Sequence, residues 1–101
     1  MSLKQCCKLE EKKAKLDSVT KFLIVVSEPN RLNILRILRN RELSVAEIWQ
    51  FLDLPQNLVS HHLKVMKEFG LLSSRKDGKQ VIYSLKKDLL SRYKSLLIKF
   101  I

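Results

Sequence analysis

The sequence predicts a small, mainly helical domain with one β-hairpin. Three observations carry that expectation. Only two glycines and two prolines occur in 101 residues, so breakers are few and connections short. Apolar residues recur at helical spacing over long stretches, most plainly in Pro55–Phe69 and Lys86–Ile101. Asp77-Gly78, a hairpin-turn dipeptide, separates two short strand-like segments. The length suits a single domain, residues 1–101, and a hydrophobic content of 46% supplies a core.

Twenty lysines and arginines against ten acids leave a net charge of +10. A surplus of this size in so short a chain points to a polyanionic partner, nucleic acid first and an anionic membrane surface second. No apolar run reaches the roughly 18 residues of a membrane span. The opening MSLKQCCKLEEKKAK is charged throughout and lacks a signal-peptide apolar region, so a cytoplasmic location is expected. Two adjacent cysteines cannot build a disulfide framework, and no CxxC pair offers a structural zinc site. No glycine-rich phosphate loop, nucleophile elbow or catalytic metal motif is present, so an enzyme is not expected.

Residues about 4–27 read as a long first helix. Its front half, Lys4 to Lys15, is mostly charged and reads as a solvated extension. Its back half, Val19 to Val26, is apolar around Thr20 and Lys21, more than one small core demands. Such a surplus suggests a subunit interface involving Phe22 and Leu23. Ser27-Glu28-Pro29-Asn30 breaks the helix, because the residue before proline avoids the helical region. Arg31 to Arg39 forms the next helix, with Leu32, Ile34, Leu35, Ile37 and Leu38 expected to be buried. Arg31, Arg36 and Arg39 lie outside that face or at its edges, for solubility or for DNA contact.

Ser44-Val-Ala-Glu47 has the form of a capping box. It opens a short helix, Val45 to Leu52, with Val45, Ile48, Trp49 and Leu52 inward; Trp49 reads as core rather than as a stacking platform. Asp53-Leu54-Pro55 is the following turn, with Leu54 plugging between helices. In Pro55–Phe69 the two arcs separate clearly. Leu58, Val59, Leu63, Val65, Met66 and Phe69 share an apolar face; Asn57, Ser60, His61, Lys64, Lys67 and Glu68 share the opposite one. Amide, hydroxyl and imidazole groups followed by lysines suit a helix that reads base edges and touches phosphates, although a solvated face has the same look. His62 falls within the apolar arc and is expected to pack there with a hydrogen-bond partner.

Gly70 is a natural helix stop. Leu71 to Arg75 and Val81 to Leu85 read as strands, joined through Lys76-Asp77-Gly78-Lys79. The tip carries Arg75, Lys76 and Lys79, positioned to meet a phosphate backbone or enter a minor groove. Lys86 to Ile101 is the last helix. Its stripe of Leu89, Leu90, Tyr93, Leu96, Leu97, Phe100 and Ile101 needs a cover, most simply a second copy of the chain. The order of elements, α-α-α-α-β-β-α, is a winged helix-turn-helix, with the flanking helices (about 4–27 and 87–101) expected to make a homodimer.

The segments EPNRLNILRIL, ELSVAEI, LPQNLVSHHLKVMKEFGLL and RKDGKQVIYSL together resemble the ArsR/SmtB family of winged-helix repressors, from about Phe22 to Leu85. The SxHL element and the glycine-bearing wing that ends in IYSL are the most specific pieces. The resemblance implies a homodimer that binds an inverted repeat in double-stranded operator DNA and represses transcription until an inducer, often a metal ion, releases it. It implies that the recognition helix (about 56–69) reads DNA through Gln56, Asn57, Ser60 and His61, with Lys64 on phosphate. It also implies that the wing (about 72–85) adds Arg75, Lys76 and Lys79. The dimer would use Phe22, Leu23, Leu89, Tyr93, Leu96, Leu97 and Phe100. Asn57 departs from the serine common in the family, so sequence preference would differ.

The family's sensor sites are not matched. Thiolate sensors carry cysteines in the short helix, where this chain has Ser44 and Ala46; zinc, cobalt and nickel sensors carry aspartate and histidine along the last helix, where only Asp88 stands. No cofactor is expected and the inducer is unassigned. Cys6 and Cys7 remain as a thiol-based arsenic or redox sensor, or as incidental surface cysteines. A winged module that binds DNA without selectivity, or that contacts protein, is the alternative of a different class.

Overall fold

The computed structural model describes the backbone from residue 3 and side chains from residue 10. Along the chain run α1 (Leu3–Ser27), α2 (Pro29–Ile37), β1 (Leu43–Ser44), α3 (Val45–Leu52), α4 (Gln56–Phe69), β2 (Leu72–Asp77), β3 (Gln80–Leu85) and α5 (Lys87–Phe100). The expected helices and hairpin are all present. One element was not expected: β1, two residues long, which pairs with β3 and makes the sheet three-stranded in the order β1-β3-β2.

Local chemistry sets the boundaries. Glu28 caps α2 by accepting from the Arg31 backbone N–H at 2.9 Å, and Pro29 follows where a missing N–H costs nothing. Arg31 Nε donates to the Val25 carbonyl at 2.6 Å, clamping the end of α1 to the start of α2. The capping box forms in full. Ser44 Oγ accepts from Glu47 N at 3.1 Å, and Glu47 Oε1 accepts from Ser44 N at 3.0 Å. These bonds hold the Glu47 carboxyl below its ordinary pKa, the bond from the Ser44 backbone first. Asp53 then adopts the left-handed conformation (φ 53°), and the Leu54 N–H reaches back to the Trp49 carbonyl at 3.3 Å. That closes the turn into α4, with Leu54 and Trp49 packed against the core.

The core is built from Ile34, Ile48, Val59, Leu63, Met66 and Leu71, none of which keeps any exposed surface. Leu32, expected among the buried residues of α2, is 56% exposed. At 100° per residue it stands about 140° from the centre of the arc defined by Ile34, Leu35, Ile37 and Leu38. Phe22 is a second correction. Expected at a subunit interface, it is buried within its own chain, its ring stacked on Tyr93 of α5 at 4.9 Å between centroids. Tyr93 packs against Phe69 as well, at 5.2 Å. Leu16, Leu23 and Ile24 on α1 stay exposed instead.

The hairpin is longer and its turn tighter than expected. Six residue pairs run from Leu72↔Leu85 to Asp77↔Gln80, so the turn is Gly78-Lys79 alone. Gly78, with φ +63°, takes the first central position, where a two-residue turn following the strands' twist needs a positive φ. Ser73 and Ser84, opposite each other on the ladder, share a hydrogen bond of 2.8 Å. At the end of α4, the Gly70 N–H donates to the Met66 and Lys67 carbonyls at 3.1 and 3.0 Å. Gly70 has φ +104°, and a Cβ placed there would meet Leu89 Cδ2 of α5 at 3.0 Å.

Candidate nucleic-acid interface

Burial of Val59, Leu63 and Met66 fixes which way α4 faces. Gln56, Asn57, Ser60, His61 and Lys64 consequently all stand exposed on its other side. The starts of α3 and α4 and the tip of the wing converge on a shallow cleft of about 340 Å³, lined by Ser44, Ala46, Gln56, Ser60, Lys79 and Gln80, among others. It joins two base-reading candidates, Gln56 and Ser60, to one wing cation, Lys79. Asn57, His61, Lys64 and Lys76 are exposed but do not line it. Asn57 Oδ1 accepts from the Leu58 backbone N–H at 3.0 Å, leaving its amide hydrogens outward.

Gln80 was missed by sequence reasoning. The signal was there: it is a polar amide at the first position of β3, just past the turn and opposite Asp77. A glutamine at that position has the same paired donor and acceptor as Gln56.

The wing cations are not equivalent. Lys76 and Lys79 are exposed and have no hydrogen bond or ion pair among the described residues, whereas Arg75 donates to Glu42 Oε2 from Nη2 at 2.9 Å and from Nε at 3.2 Å. Lys67 Nζ donates to Ser74 Oγ at 2.6 Å, tying the far half of α4 to the wing.

His62 is buried as expected, but without the expected hydrogen bond. Among the described residues neither ring nitrogen has a hydrogen-bond partner, and Nε2 lies 3.6 Å from Glu28 Oε2. That oxygen is committed to capping α2. Burial holds the His62 pKa below its ordinary value; Glu28 opposes this, while Arg31 and His61 reinforce it.

Of the expected dimer residues, Leu89, Tyr93, Leu96 and Leu97 are half-buried on α5, while Leu23 and Phe100 are exposed. Cys6 and Cys7 lie outside the described side chains. Among the described residues, no group of three His, Cys, Asp or Glu is arranged to hold a metal ion. Among the described residues no helix is long and apolar enough to cross a membrane.

Residues 28–74 match a family model described as bacterial regulatory protein, arsR family. The chain is 40% identical over 70 residues to the cadmium resistance transcriptional regulatory protein CadC of Listeria innocua, covering 68% of this chain and 59% of that protein. The solved structure of reduced HlyU from Vibrio cholerae superposes with a TM-score of 0.71 at 31% identity, covering 88% of this chain and 92% of that one. The chain belongs to the arsR family. A further arsR relative is the HTH-type transcriptional repressor SmtB of Mycobacterium tuberculosis, 36% identical over 70 residues, which span 69% of this chain and 52% of that protein. The match thus spans only a little over half the length of these two curated relatives. The arsR membership accords with the winged helix-turn-helix seen here. CadC is named a transcriptional regulatory protein and SmtB a transcriptional repressor.

Proposed function

We propose that the chain is a DNA-binding transcriptional regulator. It works as a homodimer on an inverted-repeat operator, with α4 in the major groove and the β2–β3 wing on the adjacent backbone. The observation that carries this reading is the joining of Gln56 and Ser60 to Lys79 around one exposed cleft, on a helix oriented by its buried face. Gln56 and Asn57 suit adenine, Ser60 tolerates several bases, and His61 donates to a base acceptor or phosphate. Lys64, Lys76 and Lys79 neutralise phosphates, with Arg75 joining them on release from Glu42. Leu23 on α1 and Leu89, Tyr93, Leu96, Leu97 and Phe100 on α5 are the residues proposed to meet a second copy. Its place of action is the cytoplasm.

Repression is the expected direction, on the resemblance to SmtB, named a repressor. HlyU of Vibrio cholerae is named a transcriptional activator, so a promoter fusion in the presence and absence of the protein tests the sign. The primary test is fluorescence anisotropy on DNA from upstream of the chain's own gene against scrambled DNA, at two salt concentrations. A preference of about 10³ or more supports the specific regulator. Equal, salt-sensitive binding to all candidate operators overturns it in favour of a non-selective module. Repeating the measurement with arsenite or an oxidant reads the contribution of Cys6 and Cys7.

A further inference from the structure

We propose that the cleft between α2 and α5 binds a small anionic amphiphile: an aliphatic chain ending in a carboxylate. Three helices and the end of β3 meet there around a space of about 490 Å³, within the usual range for small-molecule sites. Its apolar surface comes chiefly from Val26 of α1, Leu32 and Leu35 of α2, and Leu90 of α5. Leu32, turned away from the buried arc of α2, leaves a large apolar side chain 56% exposed at this cleft. On the helical wheel Leu32 and Arg36 lie about 40° apart, and Arg39, just past the end of α2, borders the same cleft, so the exposed leucine and two cations stand together.

The rim is cationic. Arg36, Arg39 and Lys94 border the cleft, and a smaller adjoining cleft of about 220 Å³ shares Arg39 and Lys94 and adds Lys87. No described carboxylate lines either space. These four cations also differ from other arginines of the chain. Arg31 is spent on the Val25 carbonyl, Arg41 on the Ile37 carbonyl and the Phe51 ring, and Arg75 on Glu42. The side chains of Arg36, Arg39, Lys87 and Lys94 make no hydrogen bond or ion pair among the described residues, and all four are exposed. An apolar floor ringed by uncompensated positive charge is complementary to a molecule with an apolar tail and an anionic head.

DNA is a poor fit. Leu85, on one wall, is seven residues along β3 from Gly78, so about 24 Å from the wing tip at strand rise. Phosphate also leaves the apolar floor uncovered. The proposal stands apart from the operator reading, and its test contains no DNA.

The test is isothermal titration of the full chain with dodecanoate, dodecanol and dodecyltrimethylammonium, each below its micelle concentration. Methyl NMR of Leu32 and Leu90 follows the same titrations. Dodecanoate is expected to bind once per chain and to shift both leucines, with dodecanol at least tenfold weaker and the cation weaker still. Shortening the tail is expected to cost roughly threefold to fourfold per methylene. Arg36→Gln combined with Arg39→Gln lowers dodecanoate affinity at least tenfold and leaves dodecanol unchanged. Leu32→Gln, at an exposed position that leaves the fold intact by circular dichroism, weakens both. Equal affinity for dodecanol and dodecanoate, insensitivity to these substitutions, or no binding overturns the proposal. So do Leu32 and Leu90 resonances that move on dilution of the free protein, which would make a second copy the occupant.

Discussion

Helices α4 and α5 are both 14 residues long and both amphipathic, yet α4 fully buries four residues and α5 none. The apolar arc of α4 is completed inside the chain by α2, α3 and β2, which fixes the rotation of the helix and leaves its polar arc as the working surface. The arc of α5 is only half met, chiefly by α1, and its far end leaves Phe100 46% and the following Ile101 93% exposed. Equal amphipathicity therefore means different things. In α4 it records a finished contact. In α5 it records a contact that this chain does not complete by itself.

Substitution of the two arcs should separate these meanings. Leu63→Asp places an unpaired charge in a site with no exposed surface and is expected to abolish the cooperative thermal transition, since the cost rivals the whole stability of a small domain. The milder Leu63→Ala should cost about 2–5 kcal/mol in urea unfolding. Leu97→Asp should leave the circular dichroism spectrum folded and halve the mass in sedimentation equilibrium. An unfolded Leu97→Asp would make α5 as much core as α4 and erase the distinction.

On the polar arc, Ser60→Ala combined with His61→Ala should leave the fold unchanged while weakening operator binding by about 1–3 kcal/mol, read by anisotropy. Unchanged binding would mean that this arc is only a solvated face. Glu42→Gln should act in the opposite direction and more weakly. It frees Arg75 from an exposed pair worth about 0–1 kcal/mol, so affinity should rise a few-fold at low salt and less at high salt.

The smallest effect concerns His62. Its folded pKa lies below its unfolded value because burial disfavours the charged ring. As pH falls below about 6.5 the unfolded chain therefore takes up the proton first. The neutral ring's contribution is complete above that value and is lost on acidification. The melting temperature should be lower at pH 5.5 than at pH 7.5, and His62→Leu should narrow the gap. A gap unchanged in the variant would assign it to other groups.

The elements that announce themselves by period or by a local motif were legible in the sequence: α4, α5, the Ser44–Glu47 box, the hairpin and the exposed candidates Gln56, Ser60 and Lys79. What was not legible depends on distant neighbours. A two-residue strand has no period, so β1 shows itself only through its pairing with Tyr83 and Ile82. The turn narrowed from Lys76-Asp77-Gly78-Lys79 to Gly78-Lys79, because ladder register rather than the Asp-Gly dipeptide decides where strands end. Phe22 looks like interface until Tyr93, far along the chain, covers it. Arg75 looks free until Glu42, 33 residues earlier, is brought beside it. The carboxylate near His62 is engaged by Arg31, a bond that the spacing of His62 could not reveal.

The contact between Gly70 and Leu89 has a mechanical consequence. Gly70 closes α4 at one end; Gln56, at the other, is about 21 Å away along the helix axis. The helix thus has its Gly70 end beside Leu89 of α5 and its Gln56 end at the proposed interface. A tilt of about 5° imposed there carries Gln56 sideways by about 2 Å, enough to break a hydrogen bond to a base edge. A Cβ added at Gly70 would come within 3.0 Å of Leu89 Cδ2, so only glycine lets the two helices approach this closely. A cover on α5 that shifts Leu89 toward Gly70 is therefore expected to change the aim of the helix at its far end, unless the buried arc of α4 holds it.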